Sequence, residues 1–338
     1  MPAPATPVVL ITPEEMIRTP GPEAQILREA GFEVRYPADP TFTRGLGTED
    51  ETIRTIRGVN ALLAGGEWLT EKVFAAVPEL RVVARAGVGY DRVDVPAATR
   101  HCVAVTITPT ANHAAVAEHM LALLFGATRL IALNDRTLRG GQWIRRPLSP
   151  VRGKTIGLVG LGRIGRSTAV RCAALGMQVI AYEVKPDAAF VKQHGIELVS
   201  FDDLLKRSDF VSLHCPLSEE TRGLMNAAAF AKMKPGSIFI NTARGGLVVE
   251  VDLIAALQSG HLGGAGLDVF EQEPPDPKNP LFQMDQVVVT PHLGGGDTQS
   301  IADMGAEAAR CAVSLYRGQW PQGAVVNDSL KSGWRWAR

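Results

Sequence analysis

The chain has 338 residues, enough for two domains with a large core. Lys plus Arg and Asp plus Glu number 35 each, so no bulk field draws the chain to nucleic acid or to an anionic membrane. The four cysteines (Cys102, Cys172, Cys215, Cys311) are scattered without a Cys-x-x-Cys pair. That pattern speaks against a metal site or a disulfide framework and suits a reducing, cytoplasmic compartment.

The opening residues Met-Pro-Ala-Pro-Ala-Thr-Pro form a Pro-rich leader. It lacks a basic n-region and an apolar h-region, so no signal peptide is expected. Val8–Thr12 predicts a short apolar strand, Pro22–Ala30 a helix closed by Gly31, and Phe32–Tyr36 a second strand. Ala61–Ala64, Arg81–Ala84 and Val103–Thr106 predict three more strands, alternating with helices near Leu69–Ala76 and Pro96–Thr99. This is a complete small α/β unit with a parallel sheet.

Asn112–Arg139 reads as a long helical stretch between two units. Its most apolar part, Ala114–Leu133, contains Glu118, His119 and Arg129, each costly in lipid. A helix buried against a partner or another domain is therefore expected, not a membrane span.

Next comes Gly160-x-Gly162-x-x-Gly165, between the strand-like Thr155–Val159 and the helix-like Ser167–Leu175. Gly160 permits the tight turn, Gly162 lets backbone approach a pyrophosphate, and Gly165 lets helix and strand pack closely. The helix N-terminus then offers free N–H groups to phosphates. Glu183 ends the next strand-like run, Gln178–Tyr182, 18 residues after Gly165. A carboxylate there accepts from a ribose diol and repels a 2′-phosphate. The nearby bases are Lys185 and Arg163, and Arg163 lies in the phosphate loop. Further strands are expected at Phe210–Leu213, Ser237–Asn241, Gly264–Val269 and Val287–Thr290, as in a doubly wound sheet. The helical tail Thr298–Tyr316 is expected to return to the first unit.

Three strand ends carry candidate chemistry. Arg244 opens a Gly-Gly turn in Ile240–Gly246, where a guanidinium can fork onto a carboxylate. Glu273 lies in a Pro-rich turn with Asp268 and Glu271 nearby. Glu271 reads as a loop residue, and Asp268 as a brace or a turn cap. His292 follows a buried strand and a proline and precedes Gly294-Gly-Gly296. Its ordinary pKa of about 6.5 suits proton transfer. The other six histidines, His119 among them, read as structural or solvated, although His214–Pro216 can line a cofactor pocket. In the first unit, Arg85-Ala-Gly-Val-Gly-Tyr-Asp91 is either an anion-binding nest or an ordinary glycine turn.

Together these residues resemble the D-2-hydroxyacid dehydrogenase family, over nearly the whole chain. The matching segments are Arg85–Asp94, Asn112–Met120, Gly157–Gly165, Ser208–Leu224, Asn241–Gly246, Gly266–Pro274 and Thr290–Gly294. The resemblance implies two Rossmann-like or flavodoxin-like α/β domains with the active site in the interdomain cleft. One domain would span 1–108 plus 297–338 and bind substrate. The other would span 109–296, bind NAD, and include a dimerisation region at 112–139.

The resemblance further implies that Arg244, Glu273 and His292 are the catalytic residues. Arg85 and the backbone of Val88 and Gly89 would bind the substrate carboxylate. The NAD contacts would come from Gly160, Gly162, Arg163, Ile164, Gly165, Glu183, His214, Cys215, Pro216, Thr221, Thr242, Ala243, Asp268 and Gly294. No metal is required. The expected partners are a small 2-keto or 2-hydroxy acid and a second copy of the chain, with no nucleic acid and no membrane.

Animal-type phosphoglycerate dehydrogenases place a phosphate-binding arginine where this chain has Leu63-Ala-Gly-Gly-Glu-Trp68. Formate dehydrogenases carry a glutamine where Glu273 stands. The expected activity is therefore an NAD-dependent hydroxypyruvate or glyoxylate type of reductase. The alternatives are 3-phosphoglycerate oxidation and an NAD-sensing interaction protein of the corepressor type. No regulatory domain of the kind some family members carry is expected, and the glycine-rich 294–296 loop bears on pocket shape.

Overall fold

The computed structural model describes residues 6–43 and 47–337. The first five residues of the Pro-rich leader lie outside the described residues. The chain divides into two compact units, residues 1–112 with 296–338 and residues 113–295.

The first unit opens with β1 (Val8–Ile11), α1 (Glu14–Arg18), α2 (Pro22–Glu29) and β2 (Glu33–Arg35). It continues with α3 (Glu49–Ile56), β3 (Ala61–Ala64), α4 (Glu71–Ala76), β4 (Val82–Arg85), α5 (Val95–Arg100) and β5 (Ala104–Thr106). The strands pair in parallel in the order β2-β1-β3-β4-β5. β1, β3 and nearly all of β4 are buried and read as unbroken apolar runs, as a sheet covered on both faces requires. Helix starts follow local chemistry. Pro22 occupies the first position of α2, and Thr48 with Glu51 forms a capping box on α3. The chain reverses its direction of winding between β1 and β3, so their C-terminal ends bound a switch point.

The second unit begins with α6 (His113–Thr128) and α7 (Ile131–Arg139). It continues through β6 (Thr155–Val159), α8 (Arg163–Ala174), β7 (Gln178–Tyr182), α9 (Ala188–His194), β8 (Glu197–Leu198), α10 (Phe201–Arg207) and β9 (Phe210–Leu213). Then come α11 (Ala227–Lys232), β10 (Ile238–Asn241), α12 (Glu250–Gln258), β11 (Gly264–Leu267) and β12 (Val287–Val289). Seven parallel strands run in the order β12-β11-β10-β9-β6-β7-β8, with the switch point between β6 and β9. The two-residue β8 has exposed side chains and no apolar signature. Gly157 in β6 is required by packing: a Cβ there would lie 2.3 Å from Ser208 Oγ and 2.5 Å from Leu204 Cδ2. The last α-helix, α13 (Thr298–Tyr316), is capped by Asp297 and packs on α2 and β4 of the first unit.

The long stretch at 112–139 differs from its expectation. It is two helices, bent by 57° where Leu130 takes a left-handed conformation. α6 is buried, but against the sheet of its own unit, along β10, β11 and β12, and against α8. Its apolar face is therefore covered without recourse to a second chain or another domain. Gly266 makes this approach possible, since a Cβ there would sit 2.8 Å from Leu123 Cβ. α7 has no buried residue, and Ile131, Leu138, Trp143 and Ile144 are exposed around it. Among the described residues no single helix is long and apolar enough to cross a membrane; the bent pair α6–α7 passes only jointly, by length and composition.

Candidate active site

In the second unit, three candidate side chains leave the C-terminal ends of three neighbouring strands. Arg244 follows β10, Glu273 follows β11, and His292 follows β12. Asn241 braces the first turn: its amide donates to the Arg244 carbonyl at 2.8 Å, and its oxygen accepts from Ala243 N–H at 3.0 Å. Arg244 Nη1 donates to the Ala243 carbonyl at 2.7 Å. Gly245 lets the β10 and β11 turns meet, because a Cβ there would fall 1.7 Å from the Phe270 carbonyl oxygen.

His292 Nδ1 lies 2.9 Å from Glu273 Oε2. With a carboxylate acceptor, Nδ1 carries the hydrogen, and Nε2 of the neutral ring is left as the base. Glu273 is itself oriented by Phe270 N–H, which donates to Oε1 at 3.2 Å. The His292 side chain is 48% exposed and Glu273 21%, so the pair is open to a small molecule.

Asp268, expected to touch the cofactor, is instead 1% exposed with its carboxylate occupied. Oδ1 accepts from Thr290 Oγ1 at 2.6 Å and Leu293 N–H at 2.7 Å, and Oδ2 accepts from Gly294 N–H at 2.8 Å. Burial pushes its carboxyl upward, but these donors together with His119 outweigh burial and hold it below the usual carboxylate range. Asp268 is thus a brace for the His292 turn, the first of its two sequence readings. Gly294 is buried within that brace.

The glycine loop lies at the β6–β9 switch point. Gly160 has φ +102°, and a Cβ on it would meet Cys215 N and His214 C at 2.7 Å. Gly165 packs so tightly that a Cβ would lie 2.2 Å from the Gly160 oxygen. Gly162 is the opposite case: nothing lies within 4 Å of its Cβ position. It caps α8 without a side-chain bond, leaving the N–H groups of Gly162, Arg163 and Ile164 without a partner among the described residues. Glu183 leans over the loop, accepting from Leu161 N–H at 2.6 Å and Lys185 N–H at 2.9 Å.

Around the loop, two buried polar atoms have no partner, Thr242 Oγ1 and His214 Nδ1. Burial pushes His214 down to about 4, so its ring is neutral near pH 7. Thr221, by contrast, spends its hydroxyl on the Pro216 carbonyl at 2.7 Å and accepts from Ser218 N–H at 2.8 Å. Cys215, Pro216 and Ala243 line the exits of β9 and β10. An open glycine, unpaired helix N–H groups and orphaned buried polar atoms are a fit for a dinucleotide.

The first unit holds the remaining candidates. The N–H groups of Val88 and Gly89 make no hydrogen bond among the described residues, as an anion nest requires. Gly87 does not contribute, since its N–H donates to Thr108 Oγ1 at 2.9 Å. Arg85 holds its own loop, through Nε to the Gly89 carbonyl at 3.0 Å and Nη1 to the Ala64 carbonyl at 3.1 Å.

At the β1–β3 switch point, Thr12 Oγ1 donates to Glu67 Oε1 at 2.7 Å, while Glu67 Oε2 is buried without a partner. Burial pushes the Glu67 carboxyl above its ordinary range, against the pull of Arg85. A raised acid stabilises the fold below its unfolded pKa and loses that contribution as pH rises through the folded value. Glu67→Gln is therefore expected to match the parent in thermal stability at pH 4, below the ordinary Glu value of 4.5, and to exceed it as pH rises from there. Equal melting curves throughout would show that Glu67 stays ionised. Arg92, which sequence reasoning passed over, donates to the Gly66 carbonyl at 2.5 Å and stacks on Trp68 at 5.4 Å. Among the described residues no group of three His, Cys, Asp or Glu side chains is arranged for a metal.

A doubly wound unit with a glycine loop at its switch point defines a dinucleotide-binding fold, and an Arg, a Glu and a His stand at the ends of three adjacent strands of its sheet. Residues 121–294 match the model described as D-isomer specific 2-hydroxyacid dehydrogenase, NAD binding domain. The chain is 47% identical over 307 residues to a D-3-phosphoglycerate dehydrogenase of Mycobacterium leprae, covering 88% of this chain and 57% of that one. It is 39% identical over 297 residues to a glyoxylate reductase of Thermofilum pendens, covering 84% of this chain and 86% of that one. A solved structure of a Thermus thermophilus protein superposes with a TM-score of 0.83 at 34% identity, over 94% of this chain and 99% of that one. The chain belongs to the D-isomer specific 2-hydroxyacid dehydrogenase family, and its second unit contains the family's NAD-binding domain. It spans little more than half the length of the phosphoglycerate dehydrogenases it matches, 57% and 55% for two of them.

Proposed function

We propose that this protein interconverts a small D-2-hydroxy acid and its 2-keto acid with NAD(H), and that hydroxypyruvate or glyoxylate is the keto acid. The observation that carries the reading is the His292–Glu273 pair at 2.9 Å, one strand away from Arg244. When bound, the nicotinamide takes or gives the C2 hydride. His292 Nε2 takes the C2 hydroxyl proton in oxidation and returns it to the C2 oxygen in reduction. Glu273 holds the ring by Nδ1, and Arg244 grips the carboxylate and the C2 oxygen as charge develops there. The Val88 and Gly89 N–H groups are proposed as a further carboxylate site. The cofactor is held by the Gly160–Gly165 loop, Glu183, the 214–216 exit and Thr242. A dimer through the exposed α7 segment is part of the same reading.

A phosphorylated substrate is the second reading, favoured by Arg92 on the 66–68 loop and by the relative at 47% identity. The test is kcat/KM for NADH oxidation on glyoxylate, hydroxypyruvate, pyruvate, 2-oxoglutarate and 3-phosphohydroxypyruvate. Preference for the first two supports the proposal, and preference for the phosphorylated acid supports the second reading. Tight NADH binding with no turnover on any of them would instead indicate an NAD-sensing interaction protein.

Cofactor choice follows Glu183. Its carboxylate repels a 2′-phosphate and anchors Leu161 N–H. Glu183→Ala is expected to weaken NADH binding by about tenfold or more, the worth of a charged hydrogen bond, and to narrow the preference over NADPH. Titration calorimetry with both cofactors checks this. Equal affinities in the parent would remove Glu183 as the selector.

A further inference from the structure

We propose that His119 on α6 is a positioning residue for His292, acting through Thr290 and Asp268. The function of the turn rests on the reading of His292 as proton carrier; the structural relay does not. His119 Nε2 lies 2.8 Å from Thr290 Oγ1 and 3.2 Å from Asp268 Oδ1. The single Thr290 hydroxyl proton goes to Asp268 Oδ1 at 2.6 Å, so Thr290 can only accept from the histidine. Nε2 of His119 therefore carries a hydrogen, shared between Thr290 and Asp268.

That hydrogen completes the coordination of a buried carboxylate whose other donors are Thr290 and the N–H groups of Leu293 and Gly294. The same residue reaches His292 through its backbone. His292 N–H donates to the Asp268 carbonyl at 2.8 Å and to the Thr290 carbonyl at 3.1 Å. His292 itself sits at φ +55°, a left-handed conformation that a non-glycine residue keeps only where its surroundings enforce it. Bonds to residues 290, 292, 293 and 294 bracket it on both sides.

Gly294 closes the arrangement: a Cβ there would lie 2.9 Å from Asp268 Oδ2 and 3.8 Å from His119 Cδ2. α6 can deliver His119 to this point because it lies along β11 and β12, whose exits form the turn. Removing the imidazole leaves Thr290 and Asp268 one donor short and frees the turn to relax.

The experiment compares His119→Ala with His119→Gln, whose amide offers an N–H at a similar reach. Two readouts are taken: steady-state kcat and KM on the fastest keto acid of the panel, and amide hydrogen exchange at Leu293 and Gly294 without substrate. For His119→Ala the expected result is faster exchange at both amides and kcat lowered by about 10–10²-fold, the cost of a small misplacement, with KM little changed. His119→Gln is expected to restore most of both. If the alanine variant fails to fold, Thr290→Val removes the relay from its other end with His119 in place, and the same two changes are expected. Parent-like exchange and kcat in a folded His119→Ala or Thr290→Val protein would overturn the proposal. So would a glutamine variant no better than alanine. His292→Ala separates the two layers: normal turnover there defeats the reading of His292, while the exchange data still decide the relay.

Discussion

His292→Ala is expected to lower turnover by about 10²–10⁴-fold, the usual worth of a positioned general acid–base. The geometry explains why alanine is so costly. In the proposed reaction the C2 oxygen loses or gains a proton as the hydride moves, and the Nδ1 bond to Glu273 at 2.9 Å leaves Nε2 of His292 free to carry it. The loss should appear in kcat with little change in NADH affinity, because the glycine loop and Glu183 leave other strands of the sheet. Glu273→Gln is the informative companion. It keeps a hydrogen-bond acceptor for Nδ1 and removes the charge, so its loss should be smaller than that of His292→Ala. Turnover of His292→Ala within about threefold of the parent, far below that range, would remove His292 from the chemistry.

Arg244→Ala is expected to cost about 10²–10³-fold in kcat/KM, the scale seen when one charge-stabilising donor is removed from an active site. Arg244→Lys should recover only part of it. Lysine restores the charge but not the planar fork that meets a carboxylate and a neighbouring oxygen together. Unlike His292→Ala, both variants should raise KM as well as lower kcat, since the carboxylate is held in the ground state too. The position is fixed by Asn241 and by Gly245, whose hydrogen faces the Phe270 carbonyl where a Cβ would be 1.7 Å away. A fall in KM or an unchanged kcat/KM in Arg244→Ala would contradict the assignment.

Strands with dense apolar runs were legible in the sequence, because parallel sheets covered on both faces write hydrophobicity without alternation. β8 was not, being two exposed residues held by pairing with β7 alone. α8 begins at Arg163, four residues before its apolar pattern starts, because the glycine loop itself forms the first turn. The 112–139 stretch misled for a different reason. α6 lays its apolar residues on its own sheet and on α8 while Glu118 stays exposed, and composition alone does not tell burial within a unit from burial against another domain or chain.

At the candidate site, Arg244, Glu273 and His292 stand at strand ends where glycines and prolines announce turns, so their placement could be read. His119 could not, since a histidine beside Glu118 on a largely buried helix gives no sign of what it faces. Asp268 was half legible. Its place beside the strand end suggested a brace or a turn cap, and the four donors around its carboxylate fit the brace.

The most direct measurement of the central claim follows the hydride itself. NADH deuterated at C4 on the transferring face is incubated with hydroxypyruvate, and the product is analysed for isotope position and configuration. Deuterium at C2 of the D-hydroxy acid, present for the parent and strongly reduced for His292→Ala over the same interval, is the predicted result. No deuterium in any product across the keto-acid panel, with NADH bound tightly throughout, would contradict the account.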